Sequence, residues 1–298
     1  MKNKNWFFIH HHPNQEEAWS TPKGFILALR DSGIKVFDYS FEDPNNFFFP
    51  SNKYFVDNEI SVAISFYAGK NEILEEGLSK IKQELNIIII NELGDEPQTL
   101  SQNARKVEIS DISLTPDYRS SLYWKNQGHN CFWFNHWADT AIFNSNIESN
   151  KVLFVGTSIG RRKYSLFLKI LLGNSFLNKR CSPKENALIY KKSKIVFQYA
   201  RWNEITRRIF EAAACNCCIL TNRLPEYTQI ETIFAHNVSA IYYSGPLNLM
   251  YQLIRLKIKP NLHKEIAYNA YKIVHKNHTQ KSRAHNLIRL VNEFALKK

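Results

Sequence analysis

The chain has 298 residues, of which 44% are hydrophobic and 22% charged, and this is typical of a folded protein with about two domains. Its longest purely aliphatic run, Ile87 to Ile90, is far shorter than the roughly 18 apolar residues of a membrane span. Its apolar start, Trp6 to Ile9, is shorter than the roughly 7–15 apolar residues of a secretory signal. The sequence therefore predicts neither a transmembrane segment nor a signal peptide. Its five cysteines are an odd number, which argues against a disulfide framework and favours a reducing, cytoplasmic environment.

The net charge of +12 is unevenly distributed along the chain. Residues 1–150 contain 13 basic and 20 acidic side chains, a balance of −7, whereas residues 151–298 contain 26 basic and 7 acidic ones, a balance of +19. This asymmetry predicts two functional halves, the second of which handles an anion. The anion could belong to a phosphate-bearing ligand, to nucleic acid or to a membrane surface, although no amphipathic anchor is evident. A merely solubilising surface is the alternative.

The first half alternates strand-like and helix-like segments, which predicts a parallel, doubly wound α/β sheet. The predicted strands are Trp6 to His11, Ile34 to Tyr39, Ile60 to Phe66, Ile87 to Ile90, Val107 to Ile109 and Cys131 to Phe134. The predicted helices are Pro22 to Ser32, which Gly33 is placed to end, and Asn71 to Leu85.

The second half repeats this α/β architecture after a polar stretch, residues 144–150, that we interpret as a linker. The predicted strands are Val152 to Val155, Lys194 to Gln198, Cys218 to Thr221 and Val238 to Tyr243. The predicted helices are Tyr164 to Leu172, Arg207 to Ala214, Leu247 to Leu256 and most of Lys264 to Leu296. We therefore predict two domains, residues 1–146 and 147–298.

A glycine and three cations follow the first predicted strand of the second half. Gly156 follows the strand, and Arg161, Arg162 and Lys163 precede the next helix. Free backbone N–H groups at a helix start favour an anion, and adjacent basic side chains strengthen this preference. The spacing matches neither a P-loop nor G-x-G-x-x-G. The alternative is an ordinary strand-to-helix turn with solvated basic residues.

A second candidate site lies on the helix predicted to begin at Arg207. Arg208 and Glu211 are three residues apart and share a face of this helix. Together they can act as a ligand clamp, with the arginine binding phosphate and the glutamate binding sugar or ribose hydroxyls. The alternative is an ion pair within the helix. Asn216 is suited to the left-handed conformation in which helices commonly end.

The same segment contains Cys215, Cys217 and Cys218, which form a C-x-x-C by position. These cysteines lie in a small apolar stretch without a second cysteine pair nearby. This context favours buried small side chains over a redox or zinc site.

Three motifs follow one another in the second half. They are Tyr190-Lys-Lys-Ser193-Lys-Ile-Val196, Arg208-Ile-Phe210-Glu211-Ala-Ala-Ala-Cys215 and His278-Thr279-x-x-x-Arg283. Their order and spacing resemble the C-terminal half of the CgeB-like glycosyltransferases of the GT-B class, among the glycosyl transferases of group 1. The resemblance covers residues 151–295, and it is looser at Gly94-Asp95-Glu96-Pro97 and around Asp139. Asn216 departs from the usual glycine, and Val238-Ser239-Ala240 stands where an acidic residue is often found.

The resemblance implies two Rossmann-like domains that face each other across a cleft, with a nucleotide-sugar donor bound mainly by the second. It implies sugar transfer from a nucleoside-diphosphate sugar to an acceptor hydroxyl. We expect this transfer to need no metal and no other cofactor, because basic side chains can stabilise the leaving diphosphate. The chain also lacks the Asp-x-Asp with which GT-A enzymes bind a divalent ion. The position of Glu211 resembles that in retaining enzymes.

By the same resemblance, the donor site consists of Gly156, Arg161, Arg162, Lys163, Tyr190, Ser193, Arg208 and Glu211. The acceptor should meet the carboxyl ends of the first-half strands. There His11, His12 and Asp95 follow predicted strands, and the catalytic candidates are His12, Asp95 and Glu211. The alternatives are structural hydrogen bonding by the histidines and turn capping by Asp95.

Two other functions stay open. The acceptor can be modified DNA, as for viral glycosyltransferases, since the second half is basic and several tryptophans could stack on bases. These tryptophans are Trp124, Trp133, Trp137 and Trp202, and such residues are also typical of a core. The other possibility is a non-catalytic module that binds an anionic partner. The sequence does not identify the sugar, the base or the acceptor, which can be a glycan, a protein, a small molecule or DNA.

Overall fold

The structure, a computed structural model, describes residues 5–11, 22–41, 47–66, 71–144, 154–155, 162–177 and 182–298. It divides into two compact units. Unit 1 comprises Met1–Asn135 and Gln280–Lys298, and unit 2 comprises His136–Thr279. The predicted domain boundary at residues 146/147 and most of the predicted linker lie outside the described residues.

Unit 1 contains a six-stranded sheet in the order β2-β1-β3-β4-β5-β6. The strands are β1 (Asn5–His11), β2 (Lys35–Phe41), β3 (Val62–Phe66), β4 (Ile88–Glu92), β5 (Ile112–Thr115) and β6 (Cys131–Trp133). All neighbouring pairs are parallel, with Ile9 aligned to Tyr39 on one side and Ser65 on the other. Their carboxyl ends therefore share one edge, where α/β proteins usually bind ligands.

Helices cover the sheet of unit 1. They are α1 (Pro22–Asp31), α2 (Asn52–Asp57), α3 (Glu72–Leu85), α4 (Leu100–Ile109) and α5 (Tyr118–Asn126). Every residue of β3, β4 and β5 is buried, as expected for strands covered on both faces. In the core, the Phe7 ring lies 5.0 Å from Phe55 and 5.6 Å from Tyr39, centroid to centroid. The apolar start of the chain is thus a central strand.

Unit 2 contains a three-stranded parallel sheet in the order β11-β10-β9 and a separate parallel pair, β7 and β8. The strands are β7 (Phe154–Val155), β8 (Phe176–Leu177), β9 (Ile195–Gln198), β10 (Cys218–Asn222) and β11 (Ile241–Tyr243). The helices are α6 (Arg162–Leu172), α7 (Pro183–Lys191), α8 (Arg207–Ala214), α9 (Ile230–Ile233), α10 (Gly245–Ile258) and α11 (Pro260–Asn277). The core lies between the sheet and α10 and α11, and includes Leu220, Tyr243 and Leu253.

The last helix, α12 (Gln280–Lys297), packs against α1 and belongs to unit 1. The Lys281 ammonium lies 3.8 Å from the Asp31 carboxylate at the end of α1. The sequence predicts one mostly helical segment from Lys264 to Leu296 within the second domain. In the structure this segment breaks at His278 and Thr279.

Most predicted elements are confirmed within a few residues, and Gly33 ends the first helical segment with a φ of +82°. The strand predicted for Val107 to Ile109 is wrong, because these residues form the last turn of α4. Their alternation of apolar and charged side chains is typical of a strand, but both apolar residues pack inward from a helix. The strand predicted to begin at Val238 begins at Ile241, since residues 236–240 form a turn. The N–H groups of Val238, Ser239 and Ala240 donate to the Ala235 carbonyl, and the Asn237 N–H donates to the Ala240 carbonyl.

Candidate active site

Polar side chains at the carboxyl edge of the unit 2 sheet connect β9 to the start of α8. The Ala200 N–H donates to Asn222 Oδ1 at 2.7 Å, and Asn222 Nδ2 donates to the Ala200 carbonyl at 3.3 Å. The Tyr243 hydroxyl donates to the Gln198 carbonyl at 3.2 Å, and the Gln198 amide donates to the Thr206 hydroxyl. The bonds of Ala200 tie the loop after β9 to the end of β10, and the Gln198–Thr206 bond joins β9 to the N-cap residue of α8. Sequence reasoning missed them, since a single polar residue at a strand end carries no distinctive signal.

Helix α8 presents two arginines, Arg207 and Arg208, at this edge. The hydroxyl of its N-cap residue, Thr206, makes no hydrogen bond to the N–H groups of the helix. The dipole of the helix adds partial positive charge at this end. The start of α8 is therefore electropositive and presents N–H donors suited to an anion.

Glu211 lies one turn into α8 and is enclosed by the protein. Its Oε1 is 3.5 Å from Arg207 Nε, and its side chain is only 7% exposed. Burial raises the pKa of Glu211, and the positive charges of Arg207 and Arg208 oppose this shift. An ion pair within the helix, which the sequence offers as the alternative to a ligand clamp, thus forms between Arg207 and Glu211, four residues apart. The charge of Arg208 also acts on Glu211.

Tyr190 lies close enough to Glu211 and Arg208 for their charges to affect its pKa. Burial raises its pKa well above the usual value, Glu211 acts in the same direction and Arg208 acts against it. Its ring is fully buried and lies 6.1 Å from Phe143. The hydroxyl of Ser193 donates to the Ile189 carbonyl at 2.6 Å, so it satisfies an acceptor at the end of α7.

The turn after α8 is formed by buried thiols and one asparagine. Cys217 Sγ donates to the carbonyls of Tyr190 at 3.0 Å and Ser193 at 3.3 Å. Burial raises the pKa of Cys215 and of Cys218 to about 12, so neither is a ready thiolate. Asn216 has a φ of +58°, which confirms the predicted left-handed helix end.

Only part of the predicted phosphate turn is described. Gly156 and Arg161 lie outside the described residues, and Arg162 is the first residue of α6. Lys163, the second residue of α6, has an exposed side chain. The proposed phosphate contacts of this turn therefore stay predictions.

In unit 1, two of the predicted acceptor residues lie at the carboxyl edge of the sheet, His11 as the last residue of β1 and Asp95 after the end of β4. The His11 ring packs 5.3 Å from the Phe41 ring, and His12 lies outside the described residues. Asp95 is exposed in the turn after β4, with a φ of +55°. It is thus accessible to a substrate and also forms part of a tight turn.

The neighbour of Asp95, Glu96, is a further functional candidate, which the sequence offers only as part of the segment Gly94-Asp95-Glu96-Pro97. Only 1% of Glu96 is exposed. Its Oε1 accepts hydrogen bonds from Trp124 Nε1 at 2.9 Å and Asn103 Nδ2 at 3.2 Å. Burial raises the pKa of Glu96, and these hydrogen bonds oppose the shift. The sequence places two acids side by side and gives no signal for which of them is buried.

The His278-Thr279-x-x-x-Arg283 motif lies where the chain leaves unit 2. Within unit 2, the His278 carbonyl accepts from the Ala138 N–H at 3.0 Å, and the His278 ring lies 5.1 Å from Phe210. Within unit 1, the Arg283 guanidinium lies 5.5 Å from the centroid of the Phe134 ring, and burial lowers its pKa to about 10. These contacts hold the chain in place where it leaves unit 2, so packing accounts for His278 and Arg283 of the motif.

The tryptophans divide into core and surface residues. Trp124 and Trp137 are buried, which confirms the core interpretation for these two, and Trp133 Nε1 donates to the Pro116 carbonyl at 3.0 Å. Trp202 is 43% exposed in the loop before α8, with the Arg201 guanidinium 4.5 Å from its ring centroid. Of these four tryptophans, Trp202 is the one with an exposed ring, and it lies in the loop that leads into α8.

No group of three or more His, Cys, Asp or Glu side chains in the described ranges is placed to hold a metal ion. Within the same ranges, none of the helices combines the length and apolar character needed to cross a membrane.

Residues 142–289 match the family described as Glycosyl transferase-like. This segment includes α8, the two arginines and Glu211. The resemblance inferred from the three motifs is confirmed at the level of this family match. No curated protein matches the chain.

Solved structures resemble the whole chain. Sucrose-phosphate synthase from Thermosynechococcus elongatus matches with a TM-score of 0.69 and 10% identity, over 99% of this chain and 100% of its own. A glycosyltransferase from Rickettsia africae matches with a TM-score of 0.65 and 10% identity, over 99% of both chains. HepE of Anabaena, in complex with UDP and glucose, matches with a TM-score of 0.62 and 12% identity, over 97% of this chain and 99% of its own. The chain thus has the predicted GT-B fold of two Rossmann-like domains.

Proposed function

We propose that the protein transfers a sugar from a nucleoside-diphosphate sugar to an acceptor hydroxyl, with unit 2 binding the donor at the start of α8. The observation that carries this proposal is the enclosed carboxylate of Glu211 beside Arg207 and Arg208, within the segment that matches the glycosyl transferase-like family. HepE was solved with UDP and glucose, which makes UDP the first nucleotide to test.

In the proposed reaction, the bond between the anomeric carbon of the sugar and the diphosphate oxygen breaks. The acceptor oxygen forms the new bond and loses its proton. The leaving diphosphate gains negative charge, which the start of α8, Arg208 and the cations 161–163 stabilise. Glu211 accepts hydrogen bonds from donor hydroxyls. His12 and Asp95 are the proposed acceptor-side bases.

Metal independence and retention of anomeric configuration are further parts of the proposal. Arginines and a helix start supply the positive charge that a divalent ion supplies elsewhere. We expect EDTA to leave the rate unchanged, and the first-formed product in an NMR time course to keep the anomeric configuration of the donor. A rate that EDTA abolishes and that magnesium restores would contradict metal independence. A product with inverted anomeric configuration would contradict retention.

The donor site is tested with a panel of UDP, GDP, dTDP, CMP and ADP in a thermal-shift assay, with and without magnesium. A nucleotide at about 100 times its dissociation constant should stabilise unit 2 by roughly 2.7 kcal/mol.

Glu211→Gln keeps the size of the side chain but replaces charged hydrogen bonds by neutral ones. At about 1 kcal/mol per bond, we expect nucleotide affinity to fall roughly tenfold or more.

The matched control is Glu226→Gln, which alters an exposed glutamate of the same unit and should leave nucleotide affinity unchanged. Equal affinity of the Glu211→Gln variant and the wild type would remove Glu211 from the donor site. The proposal fails as a whole if none of the five nucleotides shifts the melting temperature while DNA does so in a salt-dependent way.

A further inference from the structure

Helix α10 is apolar on two opposite faces. One face packs into the unit 2 core through Leu249, Leu253 and Leu256. The other face carries four exposed residues, which we call the α10 stripe. They are Leu247, Tyr251, Ile254 and Ile258, exposed by 79%, 59%, 49% and 70%.

The spacing of these four residues shows that they form one continuous surface. Successive members are four, three and four positions apart, so at 3.6 residues per turn they share one side of the helix. Contiguous exposed apolar surface of this kind marks an interaction site more often than scattered single residues do.

The surroundings of the α10 stripe are positively charged. Helix α10 contains no acidic residue, and Arg255, Lys257 and the following Lys259 lie along it. Residues 245–279 contain six basic side chains and one acidic one, and unit 2 as a whole contains 21 basic and 8 acidic ones. The pKa of His263 on α11 is lowered by burial, and the positive charges of Lys194 and Lys264 act in the same direction.

We propose that the α10 stripe docks unit 2 onto an anionic lipid membrane surface. An amphipathic helix with an exposed apolar face and flanking Lys or Arg binds in the plane of such an interface. The 14 residues of α10 span about 21 Å, shorter than the roughly 30 Å hydrocarbon core, so the helix lies on the membrane. Tyr251 has the amphipathic ring that is enriched at membrane–water interfaces.

Charge favours a lipid surface over a second copy of the chain. In a symmetric dimer built on the α10 stripe, the basic side chains of one copy would meet the same basic side chains of the other. Like charges brought together weaken such a contact. An anionic membrane instead attracts the flanking cations while it takes up the apolar residues.

The proposal is tested by co-sedimentation of the full chain with vesicles of neutral phosphatidylcholine, alone or with about 30% anionic phosphatidylglycerol. We expect binding to the anionic vesicles that weakens with added salt. The double variant Leu247→Gln, Ile258→Gln should reduce partitioning at least about tenfold, because it removes two apolar side chains from the interface. The matched control is Phe48→Gln, Leu296→Gln, two exposed apolar residues of unit 1, and it should bind as the wild type does.

A charge-reversal pair tests the electrostatic part. Lys257→Glu, Lys259→Glu should reduce binding to anionic vesicles at least about tenfold, whereas Lys23→Glu, Lys53→Glu in unit 1 should not. All four positions are exposed, so a circular-dichroism melt should show unchanged folding. The proposal is overturned if the wild type does not bind, if it binds neutral and anionic vesicles equally, or if light scattering shows a dimer that Leu247→Gln, Ile258→Gln dissolves without any vesicle binding. This test needs no nucleotide and is independent of the donor site.

Discussion

Asn222→Ala should both destabilise unit 2 and weaken donor binding, although the proposed donor contacts lie elsewhere. The substitution removes the two hydrogen bonds between the Asn222 side chain and the Ala200 backbone. Ala200 is 1% exposed, so its N–H loses a partner that water cannot easily replace. With about 1 kcal/mol for each bond and the added cost of a buried unsatisfied N–H, we expect a loss of about 2–3 kcal/mol. For a unit of this size, that lowers the melting temperature by about 4–12 °C.

The weaker donor binding follows from the position of the loop between β9 and α8, to which Ala200 belongs. The Asn222 bonds hold the segment that leads from β9 into α8, and α8 presents Arg207, Arg208 and Glu211. Differential scanning calorimetry measures the stability, and isothermal titration calorimetry measures nucleotide affinity at a temperature where the variant is folded. Asn261→Ala, an exposed position on α11, is the control for both. An unchanged melting temperature would refute the hydrogen-bond argument, and a lowered one with wild-type affinity would refute the claim that this loop positions the site.

Three further predictions concern stability and reactivity. Burial raises the pKa of Glu96 in the folded state, so the folded state holds the proton of this carboxyl more tightly than the unfolded state does. The contribution of Glu96 to the free energy of unfolding is therefore most favourable below the unfolded pKa of about 4.3, and it is lost as pH rises through the folded pKa. Urea unfolding should therefore show Glu96→Gln gaining stability over the wild type between about pH 4 and pH 7, while the exposed Glu76→Gln should not. Phe210 is fully buried against Phe234, so Phe210→Ala should cost about 3–5 kcal/mol in the same assay, and a cost below about 1 kcal/mol would contradict this packing role. Iodoacetamide at about pH 8 should leave the buried thiols unmodified until urea is added, and native labelling seen by peptide mapping would contradict their burial. The thiols concerned are Cys131, Cys215, Cys217 and Cys218.

The sequence predicts elements well where local signals agree. Helix α8 forms with the predicted bounds, since arginines at its start, an apolar face and Asn216 at its end all favour the same segment. The strand beginning at Ile87 is confirmed as β4 because a short run of β-branched residues suits a sheet covered on both faces. These signals act between residues close in the chain and need no knowledge of tertiary contacts.

Elements whose signals are weak or contradictory were missed or mistaken. Helix α7 was not predicted, although Ser182 and Glu185 form a capping box at its start, because the segment lacks a clear apolar period. In α4, Val107 and Ile109 alternate with charged residues and so look like a strand. Their burial on a helix is decided by packing against the sheet, and tertiary contacts override a short local pattern.

The candidate site was predictable by residue type but not by pairing. The sequence pairs Arg208 with Glu211, three residues apart, whereas the ion pair in the structure joins Arg207 to Glu211, four residues apart. Both separations place two side chains on the same face of a helix. The choice between them depends on side-chain directions and burial. The same limit applies to Asp95 and Glu96, since adjacent residues in a turn differ in burial for reasons that lie in distant side chains such as Trp124.

The α10 stripe shows the same limit for surfaces. A helix with apolar residues on both faces is expected, from sequence alone, to be buried on both, and such a pattern does not by itself predict an amphipathic anchor. Leu249 and Leu253 fulfil that expectation, whereas Leu247 and Ile258 face outward with more than two thirds of their surface exposed. Exposing these side chains forgoes the stabilisation that burial would give, about 25 cal/mol for each Å² of apolar surface. Because the flanking residues are basic and none is acidic, a surface that is both apolar and negatively charged recovers that stabilisation, and an anionic membrane has both properties.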